Sequence, residues 1–82
     1  MVELTPYEVA RLVHKESQIK IDGSFFSIVF CYMAVFSDYR AYCLCITIEN
    51  DSFQFPVKSI KSITINKNLI TITAKRKIEI FT

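Results

Sequence analysis

Residues 4–17 repeat their apolar positions at helical spacing, and most of the chain after them alternates with a period of two. Thr5-Pro6-Tyr7-Glu8 has the form of a helix start. Thr5 is placed as N-cap and Glu8, at N3, can reach back to it, which makes a capping box. Pro6 falls at N1, where its missing N–H costs nothing. Leu4 and Val9 stand at the two positions of a hydrophobic staple. Val9, Leu12 and Val13 share one stripe, so the helix is expected over about residues 5–17 with that stripe on a sheet. Tyr7, Arg11 and His14 fall on the opposite, polar-aromatic side.

Gln18–Asp22 alternates like a short strand, and Asp22-Gly23 is a turn dipeptide in which the chain's one glycine should take a positive φ. Ser24–Phe36 and Ala41–Glu49 then form two long strands joined at Ser37–Arg40. A helix can also be drawn through Phe25–Phe36, but the Phe, Val, Ile and Tyr content and the turn residues at both ends favour a strand. Pairing Phe36 with Ala41 sets Val35 opposite Tyr42, Met33 opposite Leu44, Cys31 opposite Ile46 and Val29 opposite Ile48, a wholly apolar face. The other face carries Phe26, Ile28, Phe30, Tyr32 and Phe36 on the first strand. Its second strand offers Ala41, Cys43, Cys45, Thr47 and Glu49. A sheet with one wet face would be polar there. The aromatic half of this hairpin therefore asks for a cover, either the interior of a closed barrel or an interface.

Asn50-Asp51 turns into a strand at Ser52–Phe55, which Pro56 ends. Val57–Ile60 fits one helical turn. The final meander has turns at Lys67-Asn68 and Lys75–Lys77. It would pair Ile63 with Ile72, Ile65 with Ile70, Ile72 with Ile80 and Ala74 with Ile78, which gives one isoleucine face and a mostly wet reverse. The fold class expected is α+β: one N-terminal helix packed on a strongly bent antiparallel sheet of about six to seven short strands, a barrel or half-barrel, in one domain over residues 1–82. The order of helix, strands, short helical turn and final strands resembles, in layout over roughly residues 5–72, the small barrels of the Sm-like and SH3-like kind. No diagnostic motif of those families stands in the chain, so the resemblance assigns no residue a role.

Composition adds three constraints. At 51% hydrophobic and 22% charged, the chain is too apolar to be a disordered tail. So much apolar surface on 82 residues points to a homodimer or a protein partner. Residues 1–49 carry a net charge of −2 and residues 50–82 a net charge of +4. Lys58, Lys61, Lys67, Lys75, Arg76 and Lys77 are therefore the residues on which nucleic-acid binding would rest. Successive meander turns lie at opposite ends of a sheet, so these cations need not form one patch. Three cysteines and no signal-peptide pattern suggest reduced thiols and a cytoplasmic protein. The longest uncharged run, Phe25–Phe36, is too short to cross a bilayer as a helix.

Catalytic chemistry has little to stand on. Cys43 and Cys45 project to one face of a strand about 6–7 Å apart, without two further ligands for a metal. His14 has no nucleophile at a defensible spacing, and the turn aspartates serve the backbone. No enzyme activity, cofactor or metal is expected. The expectation is a non-enzymatic protein-protein binding module, with Tyr32, Phe36, Tyr39 and Arg40 as its contact and Tyr7, Arg11 and His14 as a second surface. Its composition and minimal size are those of a small phage or mobile-element accessory protein, which would act by steric inhibition of a host defence complex. The alternative is a small-barrel nucleic-acid binder using the six basic residues.

Overall fold

A computed structural model of the chain describes residues 2–14, 16–36 and 41–82, with side chains at all of these except 36 and 41. The elements are β1 (Val2–Glu3), α1 (Pro6–Leu12), β2 (Gln18–Ile21), β3 (Ser24–Phe36), β4 (Ala41–Ile48), β5 (Asp51–Pro56), a 3-10 turn (Val57–Ser59), β6 (Ser62–Asn66), β7 (Leu69–Thr73) and β8 (Lys77–Phe81). All eight strands form one antiparallel sheet in the order β1-β6-β7-β8-β2-β3-β4-β5. The sheet curls about a core but does not close, because β1 and β5 are its two free edges. Barrel closure, as the layout of the Sm-like and SH3-like barrels implied, is therefore absent. Leu4, Val57, Ile60 and Ile63 line the seam where a closed barrel would have carried a ladder.

The capping box forms as its spacing requires. Thr5 Oγ1 accepts from Glu8 N–H at 3.2 Å, and Glu8 Oε1 accepts from Thr5 N–H at 2.9 Å. The helix stops at Leu12, short of the expected residue 17. Val13 is already extended, at φ −78° and ψ 133°. Beyond it, His14 N–H donates to Ser17 Oγ at 3.0 Å and Ser17 N–H donates to His14 O at 2.9 Å. These local bonds offer the backbone partners that a further helical turn would have supplied. Ser17 is fully buried, and its carbonyl accepts from Ile28 N–H at 3.1 Å, which anchors the turn to β3.

The isoleucines meet across four strands. Ile63 faces Ile72, Ile65 faces Ile70, and Ile72 and Ile70 face Ile78 and Ile80, which in turn face Ile21 and Ile19. The last hairpin differs by two residues from the expected register. Its turn is Ala74–Arg76, closed by Ala74 N–H donating to Arg76 O at 3.3 Å, so Ile72 meets Ile78 rather than Ile80. A two-residue shift keeps every isoleucine on its face, because the side-chain period is two. Val9 of α1 and Val13 just beyond it join this core together with Ile28, Leu44 and Ile46. Two further turns rely on the left-handed region. Asp22 and Gly23 have φ of 51° and 84°, and Lys67 has φ of 57°.

The central hairpin departs from expectation at one point. Val35–Tyr42, Met33–Leu44 and Cys31–Ile46 pair as the pattern predicts, but the register then slips by one and Ile28, not Val29, faces Ile48. A β-bulge lies between Ile28 and Phe30. Two residues of β3 there oppose one step of β4, so the faces exchange. Before the bulge the even-numbered residues Phe26 and Ile28 point to the core side, and after it the odd-numbered Cys31 and Met33 do. The single aromatic face expected for Phe26–Phe36 is thereby split between two sides of the sheet.

Urea unfolding monitored by circular dichroism would test these assignments. Thr5→Ala should lower stability by about 1 kcal/mol through loss of the cap. Ile72→Ala, which empties a fully buried site, should lower it by on the order of 3 kcal/mol. Equal effects from the two would contradict the placement of Ile72 at the centre and of the cap at the periphery.

Candidate protein-contact surface

α1 lies along the core side of the β3–β4 hairpin, with its N-terminus toward the hairpin's far end. Tyr7 packs edge-on against Tyr42 with ring centroids 6.3 Å apart. Val35, paired with Tyr42, reaches past the helix and is exposed. At the other end of α1, His14 and Val13 border a groove lined by Ser27, Ile28, Val29, Phe30 and Cys31. Tyr7, Arg11 and His14 therefore do not form one compact surface. Tyr7 joins Tyr42 and Val35, while His14 belongs to the groove beside the bulge.

On the opposite, outer side of β3–β4–β5 no described helix packs over the sheet. Phe30 and Tyr32 of β3 stand there at 66% and 44% exposure. Tyr32 lies opposite Cys45, and Phe30 opposite Thr47. Cys43 and Cys45 have no exposed surface, yet neither belongs to the hydrophobic core cluster. Cys45 Sγ donates to Cys43 O at 3.7 Å. Of the residues expected at the contact, Tyr32 is exposed on this face. Phe36 pairs its backbone with Ala41, and its side chain is outside the described atoms. Tyr39 and Arg40 lie outside the described residues.

Val35 and Tyr42 belong to these surfaces although the sequence did not single them out as contacts, whereas Phe30 was part of the aromatic face it did mark. The register alone held the signal for Val35 and Tyr42, since it placed them together at the hairpin's end. Phe25 and Phe81 form a further outer pair, with centroids 5.7 Å apart and the Lys20 ammonium 5.4 Å from the Phe25 ring. That pair arises because β2 joins β3 to β8, a long-range adjacency with no local mark in the chain.

The groove beside the bulge gathers His14 and Cys31 but no carboxylate. Burial first, and the neighbouring Cys45 second, push the Cys31 thiol up to about 12. A thiol so protonated is a poor nucleophile. His14 Nδ1 already accepts from Glu16 N–H at 3.2 Å. Burial also raises Cys43. For Cys45 burial is again the main cause, with Cys43 adding to it and Tyr32 opposing it. Among the described residues no group of three or more His, Cys, Asp or Glu side chains is placed to hold a metal ion.

The basic residues divide. Lys61 N–H donates to Thr73 O at 2.7 Å, which brings Lys61 beside the Ala74–Arg76 turn and so toward Lys75, Arg76 and Lys77. Lys58 sits on the adjoining 3-10 turn. Arg76 is paired with Asp22 at 2.9 Å. Lys67 occupies the β6–β7 turn at the opposite end of the sheet. Phe55 is the only aromatic lining the groove with Lys75 and Arg76. No described helix is long and apolar enough to cross a membrane. Comparison with known proteins returns no matching family model, no matching curated relative and no matching solved structure.

The raised thiol has a measurable consequence. Folded Cys31 holds its proton while the unfolded thiol ionises from about 9, so its contribution to stability is complete below pH 9 and is lost as pH rises toward about 12. Urea midpoints should therefore fall more steeply between pH 8.5 and pH 11 in the wild type than in Cys31→Ala. Parallel slopes would show that Cys31 is not shielded.

Proposed function

We propose that the chain is a non-enzymatic protein-contact module whose working surface is the outer side of β3–β4–β5. The observation that supports this is the exposure of Phe30 and Tyr32 on a face whose described register positions on β3, β4 and β5 hold no charged residue. Exposed aromatic residues amid small uncharged neighbours have the make-up of an interface centre. Tyr39 and Arg40, in the segment joining β3 to β4, extend the proposed contact in the chain, and Tyr7 with Tyr42 supplies a second surface across the sheet. Action is steric and needs no cofactor. The low-glycine, isoleucine- and lysine-rich composition fits a small phage or mobile-element accessory protein that occludes a host defence assembly in the cytoplasm.

Affinity capture from host extract tests this. Tagged wild type should retain a partner that Phe30→Glu together with Tyr32→Glu retains at least tenfold less, with the circular dichroism spectrum unchanged. Equal retention by both would remove the outer face from the contact.

A second reading has one observation in its favour. Lys61, Lys75, Arg76 and Lys77 meet at one end of the sheet, where phosphates could bind. Anisotropy with duplex and single-stranded oligonucleotides should then show affinity falling with salt, with a log–log slope of roughly −3 for duplex if three or four cations engage. Absence of binding at low ionic strength would dispose of nucleic acid as a ligand.

A further inference from the structure

The backbone of β3 changes sides at the bulge, and this leaves a strand edge open within the sheet. Ile48 and Asp51 close the two-residue turn Glu49-Asn50, so they form a bonded pair, and bonded pairs alternate along a ladder. The even-numbered residues of β4 therefore bond β5, and the odd-numbered ones bond β3. Thr47, Cys45 and Cys43 lie opposite Phe30, Tyr32 and Ala34. Those three residues of β3 spend their N–H and C=O on β4, which leaves the backbone groups of Cys31, Met33 and Val35 directed the other way. β2 does not reach them. Its pairing with β3 ends at Gln18 and Ser27, and Ser17 O takes the N–H of Ile28. Among the described residues no backbone bond meets Cys31, Met33 or Val35 on that side.

The terminal edges differ in their chemistry. On β5, Ser52 N–H donates to Asp51 Oδ1 at 2.8 Å. Pro56 has no N–H, and its carbonyl accepts from Ser59 Oγ at 2.8 Å. The other terminal edge, β1, is two residues long. Charges, proline and shortness are the means by which sheets blunt their edges. β3 has none of them, since Ser24–Phe36 holds no charged residue and no proline. Cys31 and Met33 are half-buried and Val35 is exposed. Where the open edge begins, Val13, His14, Val29, Phe30 and Cys31 line a groove.

We propose that this edge binds an extended, uncharged peptide segment of another protein, which joins the sheet as a strand beside Cys31–Val35. Three outward residues offer about six backbone bonds, two for each. Such bonds need an extended main chain and set the ligand's conformation, while pockets for alternate side chains select its sequence. The side chain beside Cys31 enters the groove, which Val13 and Val29 make apolar. α1 keeps a second copy from this place. The helix packs on β3 more than on β4. Antiparallel pairing of β3 with its twin would set the two helices over neighbouring strands, with axes about 5 Å apart, where packed helices need about 8–10 Å. A bare segment carries no such layer. The contact is separate from the outer face, because it uses main-chain groups in the plane of the sheet rather than the Phe30 and Tyr32 side chains.

Fluorescence anisotropy with labelled peptides tests this. The probes alternate Thr and Val between terminal lysines, with Val, Ile or Phe at the centre. At least one should bind with a midpoint below about 0.5 mM protein. Its counterpart, N-methylated at every central residue, should not bind. Val35→Pro should weaken binding at least tenfold with the circular dichroism spectrum unchanged, because it removes an outward donor and no bond to β4. Val35→Thr keeps the N–H and should stay within about threefold of wild type. Hydrogen exchange followed by NMR gives a second readout. In the free protein the Tyr32 and Ala34 amides should exchange slowly, and those of Cys31, Met33 and Val35 quickly until the probe is added. Light scattering should hold at 9.5 kDa over the same concentrations. Failure of all three probes overturns the proposal, as does equal binding of the N-methylated peptide. Slow exchange at Cys31, Met33 and Val35 in the free protein would show the edge already paired. A mass that rises with concentration in wild type but not in Val35→Pro would give the edge to a second copy. Either result overturns the peptide as its occupant.

Discussion

Strand side chains alternate strictly from one face to the other, and one extra residue in β3 is where this protein turns that rule to use. Up to Ile28 the strand feeds the isoleucine core shared with β2 and β8. After the bulge it continues against β4 with its parity reversed. Without the bulge, Phe26 and Ile28 would share a side with Phe30 and Tyr32, and either the core would lose Ile28 or Phe30 and Tyr32 would be drawn inward. The extra residue lets one unbroken thirteen-residue strand serve the core at one end and expose aromatics at the other. A bulge also strengthens local twist, in keeping with a sheet that curls about its helix.

The core itself is repetitive. Six isoleucines of the meander and two of β2 are matched across neighbouring strands, and branched side chains suit such a pleated surface. Val9 and Val13 complete the packing from the helix side. A helix of seven residues would be marginal alone. It is held by its capping box, by its apolar stripe and by the buried Ser17 turn that ties its exit to β3. The ion pair between Arg76 and Asp22 is exposed at both ends and adds little beyond joining two neighbouring turns.

What the chain declares locally, it declares well. The capping box, the Asp22-Gly23 and Lys67-Asn68 turns and the hairpin register from Phe36–Ala41 back to Cys31–Ile46 all follow from nearest neighbours. What depends on distant partners is hidden. β1 is too short to show a period, and it exists because β6 offers an edge to Val2 and Glu3. The junction of β2 with β8 joins segments about sixty residues apart, as Ile19 and Ile80 show. The bulge has no glycine to mark it, and Ile28, Val29 and Phe30 are apolar at both parities, so the pattern there is silent. The outward position of Tyr32 was legible in the alternation of β3. The extent of the outer face was not, because that depended on the bulge. Whether the basic residues form one patch was open in the sequence, and the Lys61–Thr73 bond is what brings Lys61 beside the Ala74–Arg76 turn.

The satisfied edge of β5 bears on how far assembly can go. Sheet proteins with open edges can add subunits without limit, since each new chain presents the edge it has just used. Here one proline, one aspartate and one serine remove most of that template. The side of β3 that β2 leaves unpaired, beyond Ile28, is a different matter, because β2 pairs with β3 only from Ser24 to Ser27. A strand added through backbone bonds would therefore meet β3 past its bulge, at Cys31, Met33 and Val35, rather than β5.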